Sequence, residues 1–183
     1  MISIKAENLE YARMLLGDAP KQIHWAAVRA INRAVTTVRA NASKKIRQNY
    51  TIKAPDIKKT FSVKRANGRS LHGAVVSRGR PPLLTAFDVR AYKRGPVGVK
   101  IRKQGDIKRV PGLFLGTSRT GYVGAMQRTQ LHARYPLRIP YGPSVPQMFG
   151  SPDVVGELAT LAQATLNQRF LHEVEYRFNK KMK

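Results

Sequence analysis

Ile23, Ala27, Ile31, Ala34, Val38, Ala42 and Ile46 recur at spacings of three and four. At about 100° per residue they share one side of an α-helix. Asp18 can cap that helix, and Pro20 falls in its first turn, where a missing N–H costs nothing. A long helix is therefore predicted from there to about Asn49. Lys21, Arg29, Arg33, Arg39, Lys44 and Arg47 fall mostly on the other side, so the helix should bury one face and present a basic ridge on the other. Upstream, Leu9, Ala12, Met14, Leu15 and Leu16 predict a short helix over 7–16 that stops at Gly17.

After Tyr50 the pattern changes. Ala54-Pro55-Asp56 predicts the start of another short helix, and beyond it the apolar period falls to two. Segments 61–65, 71–76, 87–92 and 97–102 predict strands, the first two joined through the turn signal Asn67-Gly68. Their outward positions are rich in Lys and Arg, which predicts an antiparallel sheet with one face on the core and one basic face. Residues 105–124 are rich in Gly, Ser and Thr around an apolar island at 110–115, the composition of a long hairpin or a mobile loop. Five prolines within 135–152 predict an extended, non-helical segment. Ser151-Pro152-Asp153 then opens a closing helix to about Asn179, whose stripe starts with Val155, Leu158, Ala162 and Leu166 and drifts to Leu171, Val174 and Phe178. No segment repeats. The fold class is α+β: one domain over 1–183, with a basic helix and sheet at 19–149 and a closing helix at 151–179.

Charge sharpens this picture. The chain carries 34 Lys and Arg against ten Asp and Glu, a net +24. Residues 19–149 hold 27 of the bases but only Asp56, Asp88 and Asp106 as acids, while the two flanks hold seven of each sign. A surface that is merely solvated mixes signs, yet no acid occurs between 19 and 55. Such a block repels itself, so a polyanionic neighbour is expected, either phosphate or an acidic protein surface.

Other chemistries find little support. The absence of Cys excludes disulfides, thiolate metal sites and cysteine nucleophiles. His24, His72, His132 and His172 lack metal-ligand spacing. The three central aspartates could meet around Mg²⁺ as in a nuclease, but nothing in their local context favours it. No phosphate loop or dinucleotide fingerprint is present. No apolar run approaches the roughly 20 residues of a membrane span, and the opening Met1-Ile2-Ser3-Ile4-Lys5 offers no signal peptide. The expectation is a soluble, non-enzymatic protein with no cofactor and no metal. Arg78-Gly79-Arg80-Pro81 resembles the minor-groove core of an AT-hook, but Pro82-Leu83-Leu84 turns apolar at once, which favours a loop. The aromatics are dispersed, not gathered as a stacking platform, so any nucleic-acid contact should be to phosphates.

Two segments carry a family likeness. Ala30-Ile31-Asn32-Arg33-Ala34 lies in the long helix, and Ile139-Pro140-Tyr141-Gly142-Pro143-Ser144-Val145-Pro146-Gln147-Met148-Phe149 precedes the closing helix. Arg80-Pro81-Pro82-Leu83 with Phe87, and the strand over 97–102, fit the same pattern. Together they resemble the minor tail protein Z family of lambda-like, long-tailed bacteriophages. The resemblance implies a virion component made in the bacterial cytoplasm and carried in the tail. It also implies a tail-completion role at the head-proximal tail end, where the tail joins the head and the genome end is placed. It transfers no catalytic residue. Small neck and tail-completion proteins of similar plan form rings, so a homo-oligomeric ring, with a hexamer as the reference case, is expected beside other tail and neck proteins.

Duplex DNA carries one negative charge per about 1.7 Å, so +24 matches roughly 40 Å of duplex. A six-fold ring would exceed what the DNA inside it can neutralise, and part of the charge must meet acidic protein or solvent. Arg78, Arg80, Lys100, Arg102, Lys103, Lys108 and Arg109 are assigned to DNA or an acidic partner. Arg29, Arg33, Arg39, Lys44, Arg47, Tyr141, Pro143, Met148 and Phe149 are assigned to protein interfaces. The alternative is a free-standing, sequence-nonspecific nucleic-acid-binding protein.

Overall fold

The fold is described from a computed structural model, over residues 2–4, 20–93, 96–118, 121–130 and 135–181. The helix expected at 7–16 and the Asp18 cap lie outside the described residues. In chain order the elements are β1 (Ile2–Ile4), α1 (Pro20–Asn49), α2 (Ala54–Lys58), β2 (Phe61–Lys64), β3 (Gly73–Ser77) and a 3-10 turn (Leu84–Ala86). There follow β4 (Asp88–Arg90), β5 (Gly98–Lys100), β6 (Lys108–Arg109), β7 (Leu113–Thr117), β8 (Val123–Arg128), β9 (Leu137–Arg138), α3 (Val145–Phe149) and α4 (Pro152–Lys181). The class is α+β. The strands form three antiparallel three-stranded sheets, ordered β1-β3-β2, β4-β5-β6 and β7-β8-β9.

Contacts divide the chain into two compact units interleaved along the sequence. The first comprises Met1–Ala42, Phe61–Arg78 and Phe149–Lys183; the second comprises Ser43–Thr60 and Gly79–Met148. In the first unit α1 supplies Ile23, Ala27, Ile31, Ala34 and Val38 as buried side chains, joined by Ala26, Val28, Ala30 and Val35. β3 lies so close to this helix that a Cβ on Gly73 would come within 2.5 Å of Ile31 and 2.7 Å of Val35. The Asn67-Gly68 turn forms as expected: the Asn67 and Ser70 backbones exchange hydrogen bonds, and Asn67 Oδ1 accepts from the Arg69 and Ser70 amides. Asn32 Nδ2 donates to the Ala66 carbonyl at 3.0 Å, and its Oδ1 accepts the Ala66 N–H at 2.9 Å, which fixes the β2 exit on α1.

The closing helix departs from its expected stripe. Its buried residues are Val154, Leu158, Ala162, Leu166, Phe170 and Val174, whereas Val155 and Leu171 are only half-buried. A strict spacing of four advances about 40° beyond each turn, so this seam winds roughly 200° around the helix from end to end. No single apolar face exists for a sequence pattern to reveal.

In the second unit Leu84, Val97, Val99, Leu113 and Ala125 form a core shared by the β4–β6 and β7–β9 sheets, with Val89, Ile101 and Val110 packed at its edge. The 105–124 region contains the expected hairpin and one further strand. β6 pairs with β5, and β7 forms a hairpin with β8 in the register Leu113↔Gln127 to Thr117↔Val123. The proline-rich segment also departs from expectation, because α3 is helical. Ser144 and Gln147 form a reciprocal cap: Ser144 N–H donates to Gln147 Oε1 at 3.0 Å and Gln147 N–H donates to Ser144 Oγ at 3.3 Å. Pro146 sits in the first turn, where it forfeits no helical hydrogen bond.

Just before this cap, Gly142 N–H donates to Pro82 O at 2.9 Å and Leu83 bridges Tyr141. A Cβ on Gly142 would lie 2.2 Å from the Phe87 ring. We expect Gly142→Ala to destabilise the protein by about 1–3 kcal/mol through overpacking. Gly156→Ala, in α4 with open space around it, should stabilise by about 0.5–1 kcal/mol. Denaturant unfolding of the two variants should show shifts of opposite sign.

Candidate polyanion-contact surface

Where the cations stand follows from where α1 and β5 are anchored. The ridge residues Lys21, Arg29, Arg33, Arg39, Lys44 and Arg47 are all exposed, because the opposite stripe is occupied by the buried positions. Past the helix, Thr51 N–H donates to Ile101 O at 3.0 Å, its hydroxyl donates to Lys100 O, and Asp88 N–H donates to Thr51 Oγ at 3.3 Å. Lys103 N–H donates to Asn49 O at 2.9 Å. This lacing holds the strand that carries Lys100 and Arg102 against the end of α1 within the second unit.

β5 and β6 then bring the predicted cations together. Val99 pairs Lys108 and Gly98 pairs Arg109, while Lys103 occupies the connecting turn. Arg102, Lys103, Lys108 and Arg109 are exposed and Lys100 is half-buried. Successive residues of a strand point to opposite faces. Lys108 lines a recess of about 390 Å³ with Arg102 and Asp106 over Leu84, Val99, Ile101 and Val110. Arg109 lies on the Tyr92 ring, 4.8 Å from its centroid. Tyr92 itself crosses Gly98, where an added Cβ would meet its ring at 3.0 Å. Arg102 likewise stands 5.9 Å from the Tyr50 centroid. Rings orient these guanidiniums without cancelling their charge.

Counter-charge is scarce. Among the described residues, Lys100, Arg102, Lys103, Lys108 and Arg109 form no ion pair. Asp88 is engaged by Arg90 at 3.0 Å and Asp56 by Lys59 at 2.6 Å. The hydrogen bond and charge of Asp88 raise the Arg90 pKa further, so that group stays protonated. No group of three or more His, Asp or Glu side chains converges among the described residues, so the three aspartates share no site there. No described helix is long and apolar enough to cross a membrane.

Other assigned residues scatter. Arg78 ends the Phe61–Arg78 segment of the first unit and Arg80 lies one residue into the Gly79–Met148 segment of the second, both exposed in irregular chain; the loop reading of Arg78-Gly79-Arg80-Pro81 fits. Tyr141 is 61% exposed and Pro143 half-buried. Met148 and Phe149 are buried within the chain, at 0% and 3% exposure, and Phe149 packs edge-on to Phe61 at 5.2 Å. The apolar end of the proline-rich motif thus packs within the chain.

Sequence reasoning missed a second cluster, in the first unit. Arg29, Arg33, Arg65 and Arg169 line a recess of about 430 Å³ together with Asn32, Thr36 and Glu173. Arg65 and Arg169 come from β2's exit and from α4, far apart in sequence, and no pattern marks them.

The comparison with protein families decides what kind of molecule presents these surfaces. The family model described as prophage minor tail protein Z matches residues 13–183, nearly the whole chain. The chain belongs to the prophage minor tail protein Z family. As a member it is a structural component of a phage tail, and the family is not known as one of enzymes. No curated protein and no solved structure matches the chain. In this chain the Ile139–Phe149 segment packs Gly142 against Phe87 and forms the Ser144–Gln147 cap.

Thr51 is the residue on which the basic strand's position turns. Thr51→Val keeps the shape but deletes the hydroxyl that bonds Lys100 O, Ile101 O and the Asp88 N–H, and should cost about 1–3 kcal/mol. A lower denaturation midpoint together with faster amide exchange at Asp88 would report the loss; an unchanged Asp88 amide would contradict the anchoring role.

Proposed function

We propose that this minor tail protein completes the tail at its head-proximal end, as an oligomeric ring that helps the tail join the head and holds the genome end by contacts to phosphate. The carrying observation is the cluster of exposed Arg102, Lys103, Lys108 and Arg109 with half-buried Lys100, on and beside one small sheet and without an ion pair among the described residues. Phosphate contacts need positive charge held in position, not base-reading geometry. The aromatic rings beneath Arg102 and Arg109 support this reading, since they fix direction while leaving the charge available.

The exposed ridge of α1 supports a separate role toward acidic tail or neck proteins. A ring of copies at +24 each holds more charge than the enclosed duplex can neutralise, so protein neighbours are the natural recipients of the remainder. On this reading the sheet faces DNA and the ridge faces protein.

Particles assembled without the protein should yield tails that fail to join DNA-filled heads; tails that join and deliver DNA normally would refute the role. For the DNA contact, the measure is the salt dependence of duplex binding. Replacing Lys103 and Lys108 by Gln should flatten the slope of log affinity against log salt by about 2. An unchanged slope would remove this sheet from the interface.

A further inference from the structure

The recess in the first unit differs from the basic sheet in the chemistry of its cations and in a carboxylate that is ion-paired within it. All four of its cations are arginines, although the chain holds 15 lysines beside 19 arginines. Guanidinium groups present a planar fork that pairs two donors with one carboxylate or phosphate, which an ammonium cannot do. One carboxylate is built in: Glu173 stands 3.4 Å from Arg29, and its side chain retains 22% exposure. Arg33, Arg65 and the half-buried Arg169 form no ion pair among the described residues. The neutral lining is already satisfied, since Asn32 is committed to Ala66 and Thr36 donates to the Asn32 carbonyl.

We propose that this recess binds an acidic peptide segment of a neighbouring protein, with Arg33, Arg65 and Arg169 forking its carboxylates. The size favours peptide over duplex DNA: about 430 Å³ admits a few side chains, whereas a duplex presents its phosphates along convex rails flanking a groove about 12 Å wide. The sign pattern favours it as well. Glu173 would repel a continuous phosphate track, but it can accept a hydrogen bond from a peptide amide or pair with a lysine next to the acidic residues. Three unpaired forks beside one carboxylate suit a strand that is mostly, not wholly, negative. The proposal rests on the protein-facing half of the reading above and not on its DNA-facing half.

The test uses the full chain, a fluorescent oligoglutamate peptide and a separate DNA duplex, at about 0.15 M salt so that general attraction is screened. Two triple variants remove equal charge: Arg33→Gln/Arg65→Gln/Arg169→Gln from the recess, and Arg102→Gln/Lys103→Gln/Lys108→Gln from the sheet. The recess variant should weaken peptide binding about tenfold or more, and the sheet variant less than about twofold. Duplex binding should show the reverse order. Glu173→Gln should tighten the peptide about two- to fivefold, a gain that misfolding cannot produce. Equal weakening by both triples, a recess variant that loses DNA instead of peptide, or no tightening by Glu173→Gln would each overturn the proposal. Failure of head joining in particles would be judged separately, because peptide capture can persist without it.

Discussion

Buried apolar contact along one side of α1 is the constraint from which the rest of the structure follows. The seven positions from Ile23 to Ile46 are all buried, and the helix contributes to both compact units, its first part to one and its last two turns to the other. With that side committed, the bases at intervals between them have only one direction left. Lysine and arginine enter a core only when paired, and the sequence supplies no acid between 19 and 55 to pair them. The basic ridge is thus the other side of the same packing decision.

The second unit handles its charge differently. Two of its three aspartates are engaged by nearby bases, Asp56 by Lys59 and Asp88 by Arg90. Exposed pairs of this kind contribute little to stability; their effect is to keep those carboxylates from shielding the remaining cations. Several guanidiniums rest on rings instead, Arg102 on Tyr50, Arg109 on Tyr92 and Arg128 on Phe114. A ring restrains a long side chain's rotamers and leaves its charge directed outward. The result is a surface with ordered cations and, among the described residues, little internal neutralisation.

Much of this was legible in the sequence, for definable reasons. The α1 stripe was plain because its spacing alternates between three and four and stays on one side. The α4 seam was misread because a strict spacing of four winds around the helix, so Val155 and Leu171 looked equivalent to Val154 and Phe170. Prolines 143 and 146 hid α3, although Ser144 and Gln147 at the right interval were the signal that would have revealed it. Period two identified strands but not their partners, which is why one expected sheet became three. The cations on β5 and β6 were found because they are adjacent in sequence. The arginine recess was not, since Arg33, Arg65 and Arg169 meet only through the packing of β2's exit and α4 against α1, and no local pattern encodes that meeting.

The interleaving of the two units has a consequence for biogenesis. As the nascent chain leaves the ribosome, every residue of the second unit has been made once Met148 is added, while the first still lacks everything from Phe149 onward. At about 5–20 residues per second this gap lasts a few seconds. During that time the apolar positions of α1 and β3 lack the last segment of their unit, in a chain whose positive charge has already been made. The closing helix therefore acts as a clasp: it is made after every residue of the second unit and completes the first.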